Sequence, residues 1–340
     1  MHIDTIHTLP ELIPLEKEWN DLLSLSASHV PFLRHEYLIA WWQGLGGGEW
    51  TGGELNIITL RQDDGKLMGI APLFSPESQQ GEPALMLMGS IEISDYLDVI
   101  ARQEDLPVFL EALLAHLAEE QSPAAHLLDW YNLLESSPTI PALKAAAEKL
   151  GWEVTQQPLQ HCPYIPLPGD WEEYLSGIDK KQRHEIRRKM RRAAEYYLPV
   201  SWYIAQDGDN LEKDMDKFVD LMACDPEKAL FCTPAMRRQF HQIAQAAYKG
   251  GWLQLSFVEV NGEKAAGYLN FDYLDHIWVY NSGLDFHFSE LSPGWVLLGH
   301  LLEWANENKR KFFDFMRGDE DYKYRFGAID RQVMRLTVRK

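Results

Sequence analysis

Residues Leu253–Phe271 read LQLSFVEVNGEKAAGYLNF. Apolar residues crowd both sides of Asn261-Gly262, a dipeptide that readily takes the positive φ angles of a tight hairpin turn. The segment therefore predicts two antiparallel strands. The same pattern stands earlier, at Leu55–Phe74 (LNIITLRQDDGKLMGIAPLF), with Asp64-Gly65 at the turn. A further strand follows each hairpin, Ala84–Met88 in the first and Ile277–Asn281 in the second. Each is succeeded by a loop and an amphipathic helix, about Leu106–Glu119 and about Pro293–Asn306. Each helix leads into a strand in which Asp precedes an aromatic residue, Leu128-Asp129-Trp130 and Phe313-Asp314-Phe315. One order of elements occurs twice, which reads as an internal duplication.

Working outward, helical segments precede each hairpin. Leu9–Leu25 and Arg34–Leu45 open the first half; Trp171–Tyr197, Asn210–Met222 and Pro234–Lys249 open the second. Pro158 and Pro163 punctuate the join. The expected organisation is residues 1–158 and 159–340. Each is an α/β (α+β) unit with a mainly antiparallel mixed sheet flanked by helices. Gly44–Gly48 follows a helix rather than a strand, so it reads as a helix stop, not a dinucleotide loop.

Composition sets outer limits. The chain has 340 residues, 46% of them hydrophobic, which suits about two packed domains. No apolar run approaches the ~20 residues of a membrane span, and the start has no signal-peptide pattern. Cys162, Cys224 and Cys232 are an odd count with no disulfide or zinc pattern, so reduced thiols in a cytoplasm are expected, with Cys224 and Cys232 buried. No other cluster has metal-ligand spacing. The net charge of −19 disfavours DNA and other extended polyanions.

One window opposes that charge. Lys180–Arg192, KKQRHEIRRKMRR, holds eight of the 32 Lys and Arg residues and a single acid, Glu185. Ile178, Ile186, Met190, Ala194 and Tyr197 make one apolar stripe, so the window is helical. Arg183, Arg187 and Arg191 fall in an i, i+4 row, and Arg188 with Arg192 in another. Like charges at that spacing repel. An anionic partner would relieve the repulsion; so would acids elsewhere in the chain.

The stretch Trp278–Gly327 concentrates reactive groups. Ser292-Pro293-Gly294 combines an N-cap hydroxyl, proline at the first helical position, and a glycine that lets a ligand approach. Free N–H groups at such a start suit phosphate, though an ordinary capped helix has the same sequence. Tyr280 and Asn281 end the preceding strand, and Trp295 enters the helix. Farther on, Arg317-Gly318-Asp319-Glu320-Asp321-Tyr322-Lys323 brings acids, a phenol and an ammonium together. Lys323 there can stabilise an oxyanion and Tyr322 can protonate a leaving thiolate; a polar helix start fits equally well.

These residues resemble the tandem acyltransferases of the GNAT superfamily, most closely the CelD-like acetyltransferases, which are related to Fem-type aminoacyl ligases. The resemblance is carried by Ser292-Pro293-Gly294, Phe313-Asp314-Phe315 and Arg317-Gly318-Asp319-x-x-Tyr322-Lys323. Pro31-Phe32-Leu33, Trp41-Trp42, Gly69–Leu73, Asp95-Tyr96-Leu97-Asp98 and the basic helix add to it, so it spans roughly Pro31 to Gly327. It implies two GNAT-like folds with a substrate cleft between them and transfer of an acyl group to an amine or hydroxyl. Acetyl-CoA or another acyl-CoA would be a co-substrate, with no resident cofactor and no metal.

On this reading Lys323 and Tyr322 are catalytic, and Asp98 or Asp95 binds or deprotonates the acceptor. Ser292, Gly294, Trp295, Tyr280 and Asn281 line the donor site. Arg183 and Arg187 hold a phosphate or carboxylate, with Arg317 and Asp319 beside the substrate. The sequence departs from the family at one place: Phe288–Gly294 lacks the usual Arg/Gln-x-x-Gly-x-Gly/Ala pyrophosphate loop. An aminoacyl-tRNA donor, as in Fem-type relatives, is therefore the first alternative. A non-catalytic module for an anionic glycan or lipid is the second. The acceptor expected for the enzyme is a sugar or a cell-envelope polysaccharide precursor.

Overall fold

The computed structural model describes residues 1–77 and 81–340. The chain divides into two compact units. Unit 1 comprises Met1–Gln160 with Gln332–Lys340, and unit 2 comprises His161–Arg331.

In unit 1 the strand β1 (His2–Ile6) is followed by α1 (Leu9–Leu12), α2 (Glu16–Leu23) and α3 (His35–Gly48). Helical geometry in α3 lapses at Leu45, Gly46 and Gly47, all with positive φ, as the glycine run predicts. The hairpin of β2 (Gly53–Arg61) and β3 (Leu67–Pro76) comes next, then the two-residue strands β4 (Met86–Leu87) and β5 (Ile100–Ala101). Next come α4 (Leu106–Glu119), β6 (Leu127–Leu134), α5 (Thr139–Leu150) and β7 (Glu153–His161). The sheet order is β1-β2-β3-β4, with β5 also pairing β3. Leu106, Phe109, Leu110, Leu113, Leu114 and Leu117 form the buried stripe of α4, at the 3.6-residue period that made it legible.

Unit 2 starts with β8 (Tyr164–Pro166), α6 (Trp171–Gly177), α7 (Lys180–Ala194) and β9 (Val200–Ile204). Three helices follow, α8 (Leu211–Met222), α9 (Pro226–Phe231) and α10 (Pro234–Lys249). The hairpin of β10 (Leu253–Val260) and β11 (Glu263–Tyr273) leads to β12 (His276–Leu284), α11 (Pro293–Glu307), β13 (Phe312–Asp314) and α12 (Asp321–Arg325). Asn261 and Gly262 turn the hairpin with φ of 52° and 83°. The six strands lie in the order β8-β13-β12-β11-β10-β9, and β12 and β13 run parallel.

The last strand, β14 (Gln332–Arg339), pairs with β6 in unit 1, so residues 332–340 leave the second half to which the sequence assigned them. Nothing local signals such a pairing, because its partners are about two hundred residues away. The expected single helix over Trp171–Tyr197 is two. Ile178 is extended, and the Asp179 carboxylate accepts the Lys181 and Gln182 N–H groups, starting a new helix. Cys232 is buried as expected, but Cys224, two residues past the end of α8, is exposed; Cys162 is buried.

Candidate active site

The site is built where β12 loses its neighbours. β12 pairs with β13 over only three residues, His276–Trp278, and then continues to Leu284. On its other side the register against β11 shifts between Leu269 and Asn270, which makes Tyr280 the extra residue of a β-bulge. The ladder is thus interrupted on both edges around Tyr280 and Asn281. Tyr280 is buried with its ring 4.9 Å from Phe271 and 5.8 Å from Phe240.

Past β13 the chain turns through Met316 (φ 56°) and Gly318 (φ 115°) into α12. Lys323, in α12, is 3% exposed. Its Nζ donates to the carbonyls of Arg317 and Gly318, at 3.0 Å each, and lies 2.8 Å from Glu320 Oε2. All three ammonium protons are engaged. Gly318 suits its φ of 115°, and a Cβ there would stand 2.5 Å from Glu320 Oε2 and 2.9 Å from Lys323 Nζ. The Tyr324 hydroxyl donates to Asp319 at 2.5 Å, pinning the same loop. Asp319 is exposed, Arg317 half-buried.

Tyr322 packs its ring 5.9 Å from Phe315. Burial raises its phenol well above 10, with Tyr268 and Glu320 acting in the same direction, so it stays protonated at neutral pH. Tyr268 is fully buried and raised for the same reason. Asn281 Oδ1 accepts from Lys228 Nζ at 3.1 Å, and the Ser282 carbonyl accepts from it at 2.6 Å. Burial lowers the Lys228 ammonium, and Lys323 is near enough to push the same way, against Asp225 and Glu320. Two lysines and two phenols therefore gather around Glu320 and the bulge. Lys228 and Tyr268 were missed. Asp225-Pro226 marks the start of α9, but no short-range signal sends Lys228 to a strand some fifty residues on.

The start of α11 differs from expectation. Ser292 is left-handed (φ 52°, ψ 56°), and its side chain makes no cap bond. Its carbonyl instead accepts the Trp295 and Val296 N–H groups at 3.0 and 3.1 Å. Pro293 has no N–H, so the first turn offers the Gly294 N–H alone. Among the described residues the buried indole N–H of Trp295 has no hydrogen-bond partner; its ring lies 4.6 Å from Phe326 and beneath Lys189 Nζ at 3.9 Å.

Arg183 and Arg187 are engaged inside unit 2. Arg183 Nη1 donates at 3.3 Å to the Leu175 and Ser176 carbonyls at the end of α6, and Arg187 pairs with Glu172. Asp98 lies in unit 1 and is 2% exposed. It accepts the Ser28 and Ser137 hydroxyls at 2.5 Å each and the Val99 N–H at 2.8 Å. Burial raises its carboxyl, only partly offset by these donors. The arrangement ties three loops together and leaves no oxygen open to a reactant. Asp95, nearby in sequence, is half-buried.

Residues 180–324 match the family described as acetyltransferase (GNAT) domain. Similar solved structures include FemX, which is 12% identical with a TM-score of 0.70, the match covering 98% of this chain and 97% of FemX. A conserved protein of unknown function from Bacteroides thetaiotaomicron is 12% identical, TM-score 0.61, with 100% of both chains covered. L-PGS from Bacillus licheniformis is 12% identical, TM-score 0.57, covering 95% of this chain and 91% of that one. At these identities the likeness is one of fold. No curated protein matches the chain. Among the described residues no helix is long and apolar enough to cross a membrane.

Proposed function

We propose that the chain transfers an acyl group, acetyl in the simplest case, from acyl-CoA to an amine or hydroxyl of a sugar or cell-envelope polysaccharide precursor in the cytoplasm. The observation that carries this reading is the Lys323 ammonium, buried beside Tyr322 and the β12 bulge inside a GNAT domain.

The acceptor attacks the thioester carbonyl directly, and the carbonyl electrons move onto oxygen. Lys323 meets that oxyanion by exchanging its Glu320 contact for it. The Glu320 side chain is 57% exposed and can turn into water while the two backbone carbonyls keep Lys323 aimed. As the carbon–sulfur bond breaks, Tyr322 passes its proton to the thiolate. The phenolate regains one from the acceptor nitrogen or oxygen, a return that its raised pKa favours. Lys228 holds Asn281 and the Ser282 carbonyl, fixing the strand along which the donor would lie.

The fold shared with FemX supports a second donor, an aminoacyl-tRNA, through the same oxyanion chemistry. Thiol release from acetyl-CoA in the presence of glucosamine and a cell-envelope extract, with mass spectrometry of the products, tests the first reading. An acetylated product is expected. Transfer from aminoacyl-tRNA alone would favour the second reading, and no transfer from either would sink both.

A further inference from the structure

The last turn of α7 borders a groove that the transfer chemistry does not use. Arg188, Arg191, Arg192, Glu195, Tyr196 and Tyr197 line it. The two tyrosine rings lie 4.4 Å apart at 50°, and Tyr197 is 80% exposed. Glu185 holds Arg188 through two 2.7 Å hydrogen bonds. Glu290, in the turn Phe286–Leu291 that leads into α11, accepts the Tyr196 hydroxyl and stands 4.0 Å from Arg192. The groove is therefore tied to the very loop where this chain lacks a pyrophosphate motif. Arg191 is exposed, and its guanidinium has no ion-pair partner among the described residues.

A phosphate-bearing donor needs several N–H groups, and the start of α11 supplies only that of Gly294. The donors it lacks stand next door, on side chains. We propose that the α7 groove binds the adenosine phosphate portion of the acyl donor. Arg191 and Arg192 take the phosphate and Tyr197 stacks on the adenine. For what the ligand delivers, this rests on the acyl-transfer reading above.

The electrostatics fit a compact anion. The window Lys180–Arg192 opposes a chain of net charge −19, so a small polyphosphate reaches a local positive field that a long polyanion would approach only against repulsion. Glu172, Glu185 and Glu290 face Arg187, Arg188 and Arg192, and a bound phosphate would supply the counter-charge that Arg191 lacks among the described residues. Guanidinium groups suit phosphate geometrically, and an exposed phenol offers a π-face to a purine. CoA carries a 3′-phosphorylated ADP, and an aminoacyl-tRNA ends in an adenosine with a phosphodiester. Both present the same chemistry to this groove.

Adenosine 3′,5′-bisphosphate is the probe, titrated calorimetrically into the full chain at low and moderate salt. Wild type is expected to bind it, and Arg191→Glu and Tyr197→Ala each to weaken binding by about tenfold or more, with a shallower salt dependence for Arg191→Glu. Both side chains are exposed, so thermal melts of the variants check that the fold is kept. Competition by acetyl-CoA and by an aminoacylated acceptor-stem RNA identifies the source, and displacement by either upholds the assignment. The assignment falls if wild type does not bind the probe or if both variants bind it as wild type does. It also falls if the substitutions abolish binding to phosphatidylglycerol vesicles while leaving probe binding intact. Thiol release from acetyl-CoA by wild type, with glucosamine and a cell-envelope extract as acceptors, tests the transfer reading separately. Its failure with probe binding retained removes that reading and leaves the groove assigned.

Discussion

In unit 2 the strand after the hairpin, β12, has nine residues and pairs with β11 and β13; in unit 1 its counterpart β4 has two. The parallel join of β12 to β13 shrinks in unit 1 to a single bridge, Leu85 to Leu128. Both units keep the aspartate of the following strand and pair it with an arginine, Asp129 with Arg335 and Asp314 with Arg331. Beyond that they part. Unit 2 buries Lys323, whereas the buried polar residues of unit 1 include no lysine or arginine among those described. The two units share this aspartate–arginine pair, and among the described residues a buried lysine occurs in unit 2 alone.

Substitutions can break that comparison. Asp314→Asn is expected to cost most, about 3 kcal/mol, because Asp314 is fully buried and Arg331 would lose its counter-ion. Asp129→Asn, opposite the more exposed Arg335, should cost about 1 kcal/mol. Urea unfolding of both variants measures the contrast, and equal losses would refute it.

The pH dependence has opposite sign in the two units. For Asp314, burial pushes the carboxyl up but Arg331, His276 and the Met316 N–H outweigh it, leaving it below its ordinary value. Its contribution is present above the unfolded carboxyl pKa of about 3.9 and fades as pH falls through the folded value. Asp98 is raised, so its contribution fades as pH climbs from about 3.9 through the folded value. Asp98→Asn should flatten the second trend and leave the first, as read from melting temperature against pH.

Lys323→Ala is expected to lower turnover by on the order of 100-fold, the usual effect of losing one oxyanion contact. Normal turnover in a folded variant would make the lysine a loop clamp only. Gly318→Ala should cost about 1–3 kcal/mol by forcing a side chain into a positive φ and against Lys323. Turnover should fall with it, and an unchanged melting temperature would show that the loop yields. The smallest effect is expected from Arg183→Ala, about 0.5–1.5 kcal/mol from two carbonyl contacts on α6, with the affinity for adenosine 3′,5′-bisphosphate unaltered.

How much of this was legible depends on the range of the signal. The hairpins, α4 and α10 were readable because turn dipeptides, proline starts and apolar period act within a few residues. The crowding of Tyr322 and Lys323 in one short run was readable for the same reason. Ser292 misled because Ser-Pro predicts a cap only if the serine is extended, and here it is left-handed. Arg183 and Arg187 were expected to hold a phosphate or carboxylate or to meet acids elsewhere in the chain; which groups on α6 they meet depends on a break at Ile178 that the basic run obscured. Lys228 and β14 were invisible, since their partners are set by tertiary topology alone.

The crossing of β14 back to β6 has a bearing on biosynthesis. The ribosome must release residues 1–331 before unit 1 receives the strand that pairs with β6, and by then every residue of unit 2 has been translated. The second unit can therefore mature first, as an insert within an unfinished host. Cys162 and Arg331, joined by a 2.8 Å backbone hydrogen bond, mark the stitch where that insert could be lifted out or its ends rejoined.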